Sequence, residues 1–379
     1  MVVRRRIVDR FGEVFGGAAA EDRVSDVAVH SYTDIVVNFV SQLTSFDVSS
    51  VCTNVLLFAC EDYSELFFFS SSQLHNPDVN LSPVAAKYHM NLPFGRVTHV
   101  RGLVCVTDKQ ILEARKETVR VIFNPSTRES LILPKVKTRN VTAVMITSLG
   151  YDPIDKKFKV LLSTTAEGFR KEMFEEHHQV LTLGTGTWRT IECCIPHCRV
   201  FQEICINGVI YYLAITSSGE TGIHMIVCFD VRSEKFVFIK TTETSFSTSL
   251  YCGTLTNYNG KLGILFSQGR GHVCGKSRSI ELWVLENSEK QEWSEHIYVL
   301  PALWENIVGN AYLDFVGVTR GNEIVMSAYY PTFPFYVFYY NIERKTVVRV
   351  EVQGMEKFKE NRVHIFLDHV EDVKLMGVV

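Results

Sequence analysis

The stretch CCIPHC at 193–198 lies in the densest group of metal-binding residue types in this sequence. That group comprises Cys193, Cys194, His197 and Cys198, with His177 and His178 nearby. Thiolate sulfur and imidazole nitrogen bind zinc, and a structural zinc site uses four such ligands in two spaced pairs. Two adjacent cysteines in a strand would point to opposite faces of the sheet. The sequence therefore predicts no metal site here, and cysteines buried as small apolar side chains are the favoured interpretation.

The stretch GRGHVCGKS at 269–277 ends like a phosphate-binding P-loop. Such a loop requires a glycine five positions before Gly275, where this chain has Arg270, and it leads into a helix whose N-terminus binds phosphate. Here the strand-like SIELWVL follows instead. The sequence also lacks a Gly-x-Ser-x-Gly elbow and a zincin motif. It therefore predicts a protein that is not an enzyme, with no catalytic residues and no cofactor.

The composition indicates a globular chain, because 46% of its 379 residues are hydrophobic. Its 39 basic and 42 acidic residues leave a net charge of −3, without the positive field of a nucleic-acid binder. Apolar runs such as VLLFAC at 55–60 are strand-sized, whereas a membrane helix needs about 18 residues. The ten cysteines accompany no secretory signal, which indicates reduced thiols. We expect a protein of the cytoplasm, the nucleus or both, with no nucleic-acid and no membrane partner.

The elements that carry these residues repeat along the chain. Phrases such as IVCFDVRSEKFVFIK at 226–240 and FYVFYYNIERKTVVRVEV at 335–352 have two apolar runs around a polar turn, the pattern of a β-hairpin. Preceding turns fall near residues 102, 155, 208, 260 and 321. Second turns are expected at equivalent positions near Asn124, Gly184, Asp230, Glu286 and Asn341. A weaker first turn at 62–64 completes the set of repeat units.

This period predicts an all-β fold, a kelch-like β-propeller of six four-stranded blades. A large β-sandwich is the alternative, although it requires no such even period. Residues 1–54 do not join the repeat. Within them, SYTDIVVNFVSQLTSF at 31–46 has apolar residues at helical spacing. The predicted organisation is a partly helical or disordered extension at 1–54 and a propeller at 55–379.

Several phrases in this order resemble the type 3 F-box-associated domain of plant F-box proteins. They include LLFACEDYSELFFFSSSQ, FNPSTRESLILPKVKTR, LGYDPIDKKFKVL, VCFDVRSEKFVFI and FLDHVEDVKLM. The resemblance covers roughly residues 54–376 and implies a propeller-like fold. It also implies a substrate-binding part of a Skp–cullin–F-box ubiquitin ligase, whose partners are a target protein and a Skp-type adaptor.

An F-box of that family starts with a Leu-Pro pair and closes around a tryptophan. In this chain no proline precedes Pro77 and no tryptophan precedes Trp188. We therefore expect no intact F-box in residues 1–54 and no adaptor binding by the chain alone. The first alternative is a stand-alone binding or scaffold protein without a ligase. The least favoured alternative is a propeller enzyme.

Two connections between strands differ from plain turns and are the candidate partner-binding segments. Arginine and aromatic side chains are common anchors of protein interfaces. If both segments lie on one face, that face is the expected binding surface. The alternative is a solvated loop for the first segment and a buried strand edge for the second. The residues are Arg270, His272, Lys276 and Arg278 in the segment 267–279, and Tyr330, Phe333 and Phe335 in the segment 329–335.

Overall fold

A computed structural model of the chain describes residues 55–72, 83–93, 95–112, 115–136, 144–165, 177–216, 223–241, 250, 252–267, 269, 271–328, 330, 332–359 and 361–371. The chain divides into two units, Met1–Val51 and Cys52–Val379, and the described residues all belong to the second. The predicted extension at 1–54 lies outside them. None of the helices in the described part is long and apolar enough to cross a membrane.

The first three blades are four-stranded antiparallel sheets. Blade 1 contains β1 (Val55–Asp62), β2 (Glu65–Ser72) and β4 (Lys87–Pro93), and β26 (Val363–His369) pairs with the other side of β1; β3 (Val84–Ala85) joins blade 6. Blade 2 contains β5 (Arg96–Val100), β6 (Leu103–Leu112), β7 (Arg115–Phe123) and β8 (Ser130–Ile132). Blade 3 contains β9 (Val144–Asp152), β10 (Lys157–Thr165), β11 (His177–Thr182) and β12 (Arg189–Ile191).

The remaining three blades repeat this order. Blade 4 contains β13 (His197–Ile206), β14 (Val209–Thr216), β15 (Ile223–Asp230) and β16 (Phe236–Lys240). Blade 5 contains β17 (Thr254–Tyr258), β18 (Lys261–Ser267), β20 (Ser279–Asn287) and β21 (Glu292–Val299). Blade 6 contains β22 (Tyr312–Val318), β23 (Glu323–Ala328), β24 (Phe335–Asn341) and β25 (Thr346–Gln353), with β19 (Val273–Cys274) and β3 at its edges. Helix α1 (Trp304–Val308) follows blade 5, and a 3-10 turn (Glu356–Phe358) follows blade 6.

The predicted fold is confirmed, because the described residues form an all-β propeller of six blades with four radial strands each. The predicted second turns all connect the third and fourth strands of their blades. The prediction that the turn at 62–64 connects the first and second strands of its blade is wrong. It connects β1 to β2, which are the second and third strands of blade 1, because the first strand of that blade is β26 from the other end of the chain.

Tight turns between first and second strands explain the regular spacing in the sequence. At Asn207 and Gly208 both residues have positive φ, 48° and 86°, the conformation of the two-residue hairpin turn that asparagine and glycine favour. A side chain at Gly208 would lie 2.9 Å from Pro153 Cδ. Glycine therefore allows the turn of blade 4 to pack directly on the turn of blade 3.

The hydrophobic core lies between adjacent blades rather than at the centre of the ring. Between blades 1 and 2, for example, Leu57, Phe68 and Phe123 are buried in one cluster, and the rings of Phe68 and Phe123 are 4.7 Å apart. Consecutive residues of the middle strands are buried, as in β1, β18 and β23, so each sheet presents an apolar face to each neighbour. Each blade is therefore stabilised by the two blades beside it.

A pair of histidines joins the closing strand β26 to the inner strand of blade 2. His99 Nε2 lies 3.0 Å from His369 Nδ1, and His369 is fully buried. Burial, with a smaller contribution from the neighbouring His99, lowers the pKa of His369 from 6.5 to about 2. His369 is therefore neutral in the folded protein at neutral pH.

This pair predicts that acidification destabilises the protein. The folded-state pKa of His369 lies below its unfolded value, so the unfolded chain binds the proton first as the pH falls. The stabilising contribution is present above pH 6.5 and is lost below it, by up to about 1.4 kcal/mol per pH unit for one histidine. Urea unfolding between about pH 7.5 and 5.5 should show a weaker pH dependence for His369→Gln than for the unmodified chain. The exposed His272→Gln is the control and should retain the full dependence.

Candidate functional site

The two faces of the propeller differ in their connections. Because the four strands of a blade alternate in direction, the turns from first to second and from third to fourth strand lie on one face, here the turn face. The connections from second to third strand, and from one blade to the next, lie on the other, here the loop face. Turn-face connections include the short turns 207–208 and 259–260, whereas the loop face carries longer segments such as 300–311. Loops on a rigid scaffold are the usual site of binding.

The structure places both predicted partner-binding segments on the loop face, since each connects the second and third strands of its blade, in blades 5 and 6. His272, Lys276, Arg278 and Tyr330 are exposed, and Arg270 lies outside the described residues. The two predicted segments therefore lie on the same face, in two adjacent blades.

Phe335 is a correction to the predicted set. It is only 1% exposed and packs edge-on against Phe58 of blade 1, with ring centroids 6.4 Å apart. Phe333 is half-buried and packs against the same cluster. Phe335 is therefore a core residue that no partner reaches, as in the alternative interpretation of a buried strand edge.

Residues 271–278 form a fixed segment rather than a solvated loop. Strand β19 pairs with β22 of blade 6, with Val273 opposite Leu313. Trp304, at the start of α1, is 2% exposed and donates its indole N–H to the carbonyl oxygen of Cys274 at 2.8 Å. The backbone that carries the exposed side chains is therefore held in place before any partner binds.

Exposed charges on this segment form ion pairs that a partner can replace. His272 Nδ1 lies 2.7 Å from Asp314 Oδ1, and Arg278 Nη1 lies 4.0 Å from Glu305 Oε2. More than a third of each of these four side chains is exposed. Such pairs contribute at most about 1 kcal/mol, so exchanging them for a partner's carboxylate costs little.

Two exposed apolar residues beside this segment escaped the sequence analysis. Tyr312 is 69% exposed and Leu303 is 64% exposed, and the ring of Tyr312 meets the ring of His272 edge-on at 6.3 Å. The alternation in AYLDFVGV would have placed Tyr312 opposite the buried Leu313. Nothing in the sequence indicates that Leu303 is exposed on this face, because only the fold brings α1 there. Basic and apolar side chains thus lie close together on this part of the loop face.

The inner strands enclose a central cavity of about 780 Å³, with His272 among its lining residues. Glu203 is one of the charged residues that line it. Its Oε2 accepts hydrogen bonds from Arg96 at 3.1 Å, Arg199 at 2.7 Å and Ser148 at 2.8 Å. Burial lowers the pKa of Arg96, an effect that Glu203 opposes. These interactions join β5, β9 and β13, so the charges hold the inner strands together.

A group of three potential metal ligands lies on the loop face between blades 3 and 4. Ligand atoms of His178, Cys193 and His197 all lie within 4.8 Å of one another. Burial lowers the pKa of His178 to about 3 and that of His197 to about 4, so both imidazoles are neutral at neutral pH. Cys194 is exposed while Cys193 is half-buried, which agrees with the expected divergence of the two cysteines. The sequence analysis placed His178 near this group in the chain but predicted no metal site.

The ring closure, the radial sheets and the two unlike faces define a β-propeller domain. A sequence profile of the F-box associated beta propeller domain matches residues 55–370. The chain belongs to this family.

Curated relatives are F-box proteins of Arabidopsis thaliana. The F-box protein DOR is 52% identical over 330 residues, which cover 85% of this chain and 81% of that protein. A second Arabidopsis F-box protein is 50% identical over 329 residues, which cover 85% and 78% of the two chains. Among solved structures, the β-propeller domain of the Trilobed protease from Pyrococcus furiosus shares 10% identity and a TM-score of 0.36, over 68% of this chain and 71% of that one. This structural similarity is too low to indicate a shared function.

We expect Trp304→Ala to destabilise the propeller by about 3–5 kcal/mol, because it removes a fully buried indole and leaves the Cys274 carbonyl without its donor. Leu303→Ala, at the adjacent exposed position, should change the free energy of unfolding by less than about 0.5 kcal/mol. Urea titrations of the two variants measure both values. Equal effects would show that Trp304 does not anchor the segment 271–278.

Proposed function

We propose that this chain is a non-enzymatic target-recognition domain, the substrate-binding part of a Skp–cullin–F-box ubiquitin ligase receptor. Membership of the F-box associated propeller family over residues 55–370 carries this proposal. Relatives with about half of their residues identical over most of both chains are F-box proteins. The domain binds a target protein, and the ligase then modifies that target.

The geometry supports the loop face of blades 5 and 6 as the target-binding surface. His272, Lys276 and Arg278 present basic groups there, beside the exposed Tyr312 and Leu303. A protein interface buries about 800 Å² on each partner, and its energy concentrates in a few aromatic and cationic residues. The matching target surface carries carboxylates around an apolar side chain.

The cavity supports a structural rather than a catalytic role for its titratable groups. Glu203 is bound by two arginines and a serine, and His99 is bound to His369. A general base needs a pKa near the working pH, whereas burial lowers the pKa of His99 to about 4. These groups hold inner strands of different blades together, which supports a receptor over a propeller enzyme.

Charge reversal on the loop face tests the binding surface. Lys276→Glu with Arg278→Glu should lower target capture about tenfold or more, since 1.4 kcal/mol lost at an interface is a factor of ten. The matched control reverses Lys290 and Lys345 to glutamate, two exposed lysines on the turn face of the same two blades. Co-precipitation from plant cells, quantified by mass spectrometry, measures capture. If both double variants lose the same partners, or neither does, the loop face of these blades is not the binding surface.

Co-purification with a Skp-type adaptor tests the link to the ligase. We expect no binding by the unmodified chain, because residues 1–54 contain no proline and no tryptophan, and binding after an F-box from a relative is grafted to residue 55. Adaptor binding by the unmodified chain would contradict this expectation and place adaptor docking in the chain itself. A grafted chain that binds adaptor but directs no captured protein to ubiquitination would favour the stand-alone binding protein.

A further inference from the structure

His178, Cys193 and His197 come from three separate elements that meet on the loop face. His178 lies near the start of β11 in blade 3, and His197 is the first residue of β13 in blade 4. Cys193 belongs to the connection 192–196 between these two blades. The two imidazole side chains are buried, at 1% and 0% exposure, and their rings stack at 5.3 Å. The only chain connection between these blades thus passes beside the group.

We propose that His178, Cys193 and His197 bind a zinc ion, with a water molecule as the fourth ligand, and that this ion fixes the connection between blades 3 and 4. Imidazole nitrogen and thiolate sulfur both bind zinc, and three protein ligands with water in the fourth position is the coordination of zinc sites that stay open to solvent, unlike the closed four-ligand structural sites. No part of this proposal depends on the identity of the target protein.

The distance between Cys193 and His197 fits a zinc site after a small contraction. Cys193 Sγ lies 3.9 Å from His197 Nδ1. Tetrahedral zinc, with Zn–S of about 2.3 Å and Zn–N of about 2.0–2.1 Å, requires a separation of about 3.5 Å between these atoms. Cys193 lies outside the strands and is half-buried. Its thiol therefore moves by the required few tenths of an ångström without disturbing a β-ladder.

Hydrogen bonds to the far side of each ring orient the two imidazoles. Ser163 Oγ lies 3.2 Å from His178 Nδ1, and the hydroxyl of Tyr212 lies 2.8 Å from His197 Nε2. Histidines that bind metals use this arrangement, in which one ring nitrogen contacts a protein group and the other contacts the metal. The geometry assigns Nε2 of His178 and Nδ1 of His197 as the zinc ligands.

Zinc binding releases one proton and displaces two donors of the Ile195 carbonyl oxygen, His197 Nδ1 and the Cys193 thiol, which donates to that oxygen at 3.5 Å. His197 Nδ1 lies 2.8 Å from the carbonyl oxygen of Ile195, to which it donates in the tautomer whose Nε2 accepts from Tyr212. On binding, the ring proton moves from Nδ1 to Nε2 and is donated to the Tyr212 oxygen. The thiol proton of Cys193 passes to solvent, and the thiolate bonds to zinc. No oxidation or reduction takes part.

The surrounding charge is compatible with a cation. Arg199 lies close enough to lower the pKa of both histidines, although burial has the larger effect. Its guanidinium binds Glu203 Oε2 at 2.7 Å and stacks on the Tyr212 ring at 3.9 Å. This ion pair offsets the charge of the guanidinium, and the Cys193 thiolate adds the negative charge that stabilises bound zinc.

Zinc titration of the purified full chain, stripped with chelator and kept reduced, tests the proposal. We expect one equivalent to bind and to raise the thermal unfolding midpoint. Cobalt(II), used as a spectroscopic probe, should show a thiolate-to-metal charge-transfer band. Cys193→Ser should abolish that band and weaken zinc binding by at least about 100-fold, since even outer-shell changes cost 10–100-fold.

The neighbouring thiol supplies the matched control. Cys194 is exposed and outside the ligand group, so Cys194→Ser should bind zinc and cobalt like the unmodified chain. His178→Gln, checked for folding by circular dichroism, should bind as weakly as Cys193→Ser. Substoichiometric zinc binding by the unmodified chain, equal loss in the Cys193 and Cys194 variants, or binding of copper(II) but not zinc would each overturn the assignment.

Discussion

The antiparallel pairing of β26 with β1 closes the ring, and the packing of every blade depends on it. Leu57 lies opposite Phe366 and Cys60 lies opposite Val363, so strands from the two ends of the described chain form one sheet. Each blade buries its apolar faces only against its neighbours, and an open ring would leave two such faces in water. Closure by a few hydrogen-bonded residues therefore completes the burial of the whole propeller.

The strand order within each blade also separates the two faces of the propeller. Four alternating strands in each blade place the connections from second to third strand and from blade to blade on the loop face, so exposed side chains there can change without altering the strand pairing. Residues 271–278 illustrate the arrangement. Trp304 and strand β22 hold the backbone of this segment, while His272 and Arg278 stay exposed in replaceable ion pairs. This combination of a fixed backbone and exposed side chains suits the target-binding role proposed for this face.

Polar side chains inside the ring hold the inner strands together and do not form an exposed surface for a partner. A buried charge is costly unless it is paired and hydrogen-bonded, and Glu203 meets that condition with partners from its own strand, from β5 and from β9. His99 and His369 join β5 to the closing strand in the same way. These contacts are specific for particular strands, so they align inner strands that apolar packing alone would leave free to slide.

The sequence by itself determined the fold class and the number of blades. Hairpin turns and strand patterns are local properties of the sequence. Asn207 and Gly208, for example, predict a tight turn from their residue types alone. Only the tertiary structure decided the place of the turn at 62–64 and the burial of Phe335. Each of these depends on which blades lie side by side and how the ring closes, and contacts between residues far apart in the chain leave no local pattern in one sequence.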